Sequence, residues 1–158
     1  MSNATVFFLA SALVVLTGSG FTSQQFAGTA YAQWHSQNNA EARARKNKAQ
    51  KALLQAMELN ARVEMMIKQG IDERDKMEGW LDQSYGFLAV AINEMEGVNR
   101  MAKFKDPMVE RGIKDMYNDG KPETMKARGS IAVGAFDDAL EHLAKAKLVH
   151  QRFLIVTY

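Results

Sequence analysis

The first forty residues contain no Asp, Glu, Lys or Arg, and all 20 basic and all 18 acidic side chains lie at or beyond Glu41. A soluble domain carries a charge at about every fourth position, so this partition marks a change of solvent or partner along the chain. We read two regions from it: an uncharged, apolar N-terminal arm over 1–40 and a charged helical region over 41–158. The charges nearly cancel, to a net +2, which argues against a dedicated nucleic-acid binder. Cysteine is absent, so disulfides, thiolate metal sites and cysteine nucleophiles are excluded together.

Within the arm, residues 5–16 read TVFFLASALVVL, with Val6, Phe7, Phe8, Leu9, Leu13, Val14, Val15 and Leu16 as candidates for insertion into a membrane or a partner. Twelve helical residues rise about 18 Å, short of a hydrocarbon core of about 30 Å. Gly18 and Gly20 then break the run and are the candidate hinge. Beyond them Phe26, Ala30 and Trp34 fall four apart, with Tyr31 beside them, as on one face of a second helix. Trp34 and Tyr31 suit a membrane interface, where aromatic rings favour the headgroup level, and equally a protein contact or a core. The expected layout of the arm is a helix, a Gly-Ser-Gly turn and a second helix. Ala30-Tyr31-Ala32 before Gln33 resembles a leader cleavage site, but no Lys or Arg precedes the apolar run, so a retained segment is the expectation.

The charged region is expected to be all-α. From Ser23 to beyond Gly70 there is no proline, and 40–69 is rich in strong helix formers. Ala49, Ala52, Ala56, Leu59, Val63, Met66 and Gly70 alternate at spacings of three and four, a heptad seam whose first half is all alanine. Small seam residues let a neighbouring helix come close, either from a second copy or from the same chain. A bend is expected at Gly79, followed by a dense apolar block from Trp80 to Ile92 as the main core contact. Asp106-Pro107 opens a further helix with Asp as N-cap and Pro at its first position. Asn118-Asp119-Gly120 is expected to stop it, and Pro122-Glu123 to open a last helix with Met125, Ile131, Ala135, Leu140, Leu143 and Leu148 roughly on one side. Gly129, Ala132 and Gly134 mark close approach or local weakness in it. The apolar, β-branched end, FLIVTY from Phe153 to Tyr158, is expected to pair as a short strand or to plug a neighbouring subunit. The fold class is thus all-α, with long helices in an elongated bundle or coiled-coil-like arrangement.

Arg43, Arg45, Lys46, Lys48 and Lys51 form a basic cluster next to the arm. It is read first as a solvated face and second as a surface for phosphate headgroups or packaged nucleic acid. No catalytic, cofactor-binding or metal constellation is discernible. His35, His142 and His150 lack metal-ligand spacing; His142 and His150 share a helix face but lie about 12 Å apart, and Glu141 beside His142 reads as a surface pair. Gly18-Ser19-Gly20 lacks the lysine of a phosphate-binding loop. A non-enzymatic protein without cofactor is expected.

Two stretches carry a family resemblance. Residues 28–40, GTAYAQWHSQNNA, follow an apolar N-terminus and a Gly/Ser break and run into an Ala/Gln/Lys/Met helix, and residues 127–135 read ARGSIAVGA. Together they resemble the small internal virion proteins of short-tailed bacteriophages, over about Leu9 to Glu141 in layout. The resemblance implies a virion structural protein, packed inside the capsid beside other core or portal-proximal proteins. It further implies ejection ahead of the genome and insertion into the host envelope, where homo-oligomers help build a conduit. The alternative expectation is a membrane-anchored or exported bacterial interaction protein, in the inner membrane or periplasm, with 1–32 as signal or anchor.

Overall fold

A computed structural model describes the backbone of residues 23–102 and 106–158 and the side chains from residue 39 onward, residues 103–105 excepted. The described residues are all-α, in five helices: α1 Ser23–Lys68, α2 Arg74–Met101, α3 Pro107–Asp115, α4 Lys121–Ala132 and α5 Phe136–Thr157. A π turn, Met116–Gly120, joins α3 to α4. The chain divides into two units, Met1–Gln37 and Asn38–Tyr158, and the packing described below belongs to the second.

Local signals account for the helix ends. α1 stops at Gly70, whose φ of 70° suits glycine. There Gly70 N–H donates to the Ile67 carbonyl and Ile71 N–H to that of Met66, the paired bonds of a Schellman cap. The same device ends α4: Gly134 has φ 78° and its N–H reaches Ile131, while Ala135 N–H reaches Ser130. Asp106 caps α3 as its sequence indicates, with Oδ1 accepting from Met108 N–H at 2.8 Å and Pro107 in the first turn.

Two clusters form the core. In one, Ala49, Ala52, Leu53 and Ala56 of α1 meet Leu88, Ala91, Ile92 and Met95 of α2, Val109 and Ile113 of α3, Met116 and Phe153. In the other, Val63 and Met66 meet Met77 and Leu81 of α2, Ala127 and Ile131 of α4, and Ala139 and Leu143 of α5. Early α1 therefore lies beside late α2 and late α5, and late α1 beside early α2 and early α5. Each of α2 and α5 runs antiparallel to α1, as in a bundle with short connections.

The structure corrects several expectations about the helices. The break after α1 falls at Gly70, not at Gly79, which sits inside α2 with no atom crowding the place of a side chain. The turn at 118–120 does not stop the chain but widens it into a π turn leading directly into α4. The last predicted helix is two, α4 and α5, so Met125 and Leu148 are exposed while Ile131 and Leu143 are buried. The C-terminal apolar segment is not a strand: it is the last turns of α5, with Phe153 and Thr157 buried and Ile155 and Tyr158 outward.

Candidate functional site

The seam residues Ala49, Ala52, Ala56, Val63 and Met66 are buried, and Leu59 is half-buried. Their close neighbour is α2 of the same chain. Its fully buried Ser84 donates its hydroxyl to the Ala56 carbonyl at 3.2 Å, a contact that requires a side chain as small as methyl at this crossing. The all-alanine half of the seam thus works as an intrachain contact.

The basic cluster separates into two groups. Arg45 and Lys48, on the same side of α1, reach across to α2 and hold Glu94 at 3.1 and 2.6 Å. Arg45 also pairs with Glu41 at 3.0 Å. The Glu94 side chain is 8% exposed, so the carboxylate is desolvated and depends on its two cations. The hydrogen bond from Lys48, aided by the charges of Lys48 and Arg45, outweighs burial and holds the Glu94 carboxyl below the usual range. These two cations are engaged within the fold. Arg43 and Lys51 are exposed and Lys46 is half-buried.

His142 and His150 have separate surroundings despite their spacing. His142 Nδ1 lies 2.7 Å from Glu123 on α4, and Glu141 pairs with Lys145 instead. Burial pushes the Glu123 carboxyl up, but hydrogen bonds from Lys126 and His142 outweigh it and leave the group below its ordinary value. His150 is fully buried, with Nε2 3.3 Å from the Gly120 carbonyl. That carbonyl also accepts from Thr124 Oγ1 at 3.0 Å. A Cβ on Gly120 would come within 2.8 Å of Met116 Sδ and 3.3 Å of Val149 Cγ1, so a larger residue there would have to displace the Met116 side chain and press on α5. Desolvation lowers the His150 pKa to about 4, which keeps the ring neutral, with Nε2 as the donor. The spacing of the two histidines gave no sign of this burial; it follows from their positions on α5, where Ala146, His150, Phe153 and Thr157 trace the inward face.

Exposed apolar side chains collect along α5. Ala144, Leu148, Ile155 and Tyr158 recur at helical spacing, with Leu148 56%, Ile155 67% and Tyr158 80% exposed. Leu54 and Met65 of α1 are also outward.

Val6, Phe7, Phe8, Leu9, Leu13, Val14, Val15, Leu16, Gly18 and Gly20 lie outside the described residues. Phe26, Tyr31 and Trp34 lie on the backbone of α1, and their side chains are likewise outside the description. Among the described residues, no helix is long and apolar enough to cross a membrane, and no group of three or more His, Asp or Glu is placed to hold a metal ion.

No family model matches the chain, and neither a curated protein nor a solved structure matches it.

Proposed function

We propose that this chain is a non-enzymatic virion structural protein, packed inside a phage capsid and ejected to help form a genome-delivery conduit across the host envelope. The observation that carries this reading is the partition of charge: none over 1–40, and every acid and base beyond. Described residues of α1 to α5 form a core in the charged part, and the arm adds the large apolar residues from Val6 to Leu16. Those residues then require a lipid or protein surface, because exposing a contiguous apolar segment to water is costly. Helical backbone satisfies its own polar groups and can pass from a protein environment into lipid. The resemblance of residues 28–40 and 127–135 to small internal virion proteins supplies the setting in which such a transfer occurs.

Association between copies, or with other core or portal-proximal proteins, is part of the proposal. It draws support from the outward stripe of Leu148, Ile155 and Tyr158 on α5. The exposed Arg43 and Lys51 stand close in sequence to the arm and suit an anionic headgroup layer, at about 1 kcal/mol per cation near such a surface.

The second reading, a membrane-anchored or exported bacterial interaction protein, rests on Ala30-Tyr31-Ala32 before Gln33. Intact-mass analysis of the protein from nuclease-treated, density-purified particles and from host envelopes separates the two. The virion reading expects the chain in particles with residues 1–32 retained. A chain found only in envelopes, with Gln33 as its N-terminus, overturns it.

A further inference from the structure

α5 carries two apolar faces, where a helix on the outside of a bundle needs one. The inward face, Ala139, Leu143, Ala146, His150, Phe153 and Thr157, is buried. On the opposite side Ala144, Leu148, Gln151, Ile155 and Tyr158 follow one another at spacings of four, three, four and three, and all are exposed. That is a heptad seam of the kind that faces a partner helix. From Ala144 to Tyr158 no charge falls on it; Lys145, Lys147 and Arg152 all lie beside it.

The charges around the seam are sorted along the helix, and the sorting indicates what covers it. Asp137, Asp138 and Glu141 stand in the first half of α5, Lys145, Lys147 and Arg152 in the second, and all six are exposed. Glu141 and Lys145, at the boundary, pair within the helix at 2.6 Å. The outer members, Asp137 and Asp138 against Lys147 and Arg152, set the sign of each half. The helix dipole favours acids in the first turn and cations in the last, which accounts for the two aspartates. It does not account for the bases, because the last turn of α5 holds none. A second α5 laid antiparallel along the seam brings the acidic half of each copy against the basic half of the other. A parallel one brings like against like, which complementary interfaces avoid.

We infer that the outward face of α5 is a two-fold interface, on which a second copy of this chain docks with its own α5 antiparallel. Such a contact is isologous: one patch serves both copies, and the assembly closes at the dimer. The inference rests on the association between copies proposed above and names its surface and orientation. One helix from each copy makes a small interface, so a transient dimer with Kd of about 10–100 µM is expected. The virion location is tested separately, by intact mass on particles, so either reading can fail while the other stands.

Sedimentation velocity of the full chain, at concentrations bracketing that Kd, should show a monomer–dimer equilibrium that weakens with added salt. Leu148→Glu and Ile155→Glu place a charge on the seam at exposed positions. Each should keep the circular dichroism of the parent chain while the dimer Kd rises about tenfold or more. Orientation is read by cross-linking, for which the cysteine-free chain gives clean single-cysteine variants. Asp137→Cys and Tyr158→Cys stand at opposite ends of the seam, about 30 Å apart along the helix. A short bis-maleimide should join the two variants when mixed, and neither to itself. A chain that stays monomeric, association unchanged by the glutamate variants in a folded chain (the mark of assembly through the arm or another surface), or cross-linking that does not favour the mixed pair overturns the inference.

Discussion

Replacing Ala56 by Leu tests whether the small-residue seam is an intrachain contact. Ala56 is fully buried, and its carbonyl accepts the Ser84 hydroxyl at 3.2 Å, so the α1 and α2 backbones lie close here. Three added carbons have no space to enter, and the helices must separate or the new side chain must leave its rotamer. Overpacking of this kind costs about 1–3 kcal/mol. Separation also strips Ser84, itself fully buried, of its acceptor, which adds about 1–3 kcal/mol. The combined loss, about 2–6 kcal/mol, is a large part of the 5–15 kcal/mol typical of a domain. Urea unfolding followed by circular dichroism should show the midpoint falling at unchanged slope, independent of protein concentration. Ala61→Leu, at an exposed position on the same helix, should change stability by less than about 0.5 kcal/mol. A loss under 1 kcal/mol for Ala56→Leu, or a midpoint that varies with concentration only in the parent protein, would refute the intrachain assignment.

Glu94→Gln should destabilise the fold by about 1–2 kcal/mol near neutral pH, less than a fully buried pair costs, because Lys48 is 64% exposed and can regain water. Since the folded Glu94 carboxyl lies below its unfolded value, its contribution is complete above about pH 5 and fades as pH falls through the folded value; urea midpoints between pH 3 and 7 should show a shallower acid limb in the variant. His150 gives the other pH signature: its pKa is about 4 when folded against 6.5 when free, so the unfolded chain binds the proton first. Stability should fall by about 3 kcal/mol as pH drops from 6.5 to 4 and level off below. His150→Phe should remove that slope, and an NMR titration that finds the His150 ring protonating near 6.5 would contradict its burial.

The sequence exposed the bundle more clearly than its joints. Heptad spacing from Ala49 to Met66 located the buried face of α1, and Asp106-Pro107 located the start of α3, because both signals act within one or two turns. The joints depend on tertiary contact. Asn118-Asp119-Gly120 carries stop chemistry, but Gly120 is buried where Val149 and His150 of α5 lie close to the π turn, and the helical path continues past it. Ile155, Val156 and Thr157 favour extended chain by local preference, and the burial of Phe153 and Thr157 against the bundle overrides it. The basic cluster was visible as a group, but its division between the Glu94 site and solvent required α2 to be in place.

The role of the uncharged arm is tested most directly by flotation with anionic lipid vesicles, comparing the full chain with one lacking residues 1–20. The account predicts that the full chain floats with the vesicles, whereas the shortened chain stays in the dense fraction with the helical circular dichroism and urea midpoint of a folded bundle. Equal flotation of the two chains would contradict it, since the lipid affinity would then lie beyond the apolar run of residues 1–20.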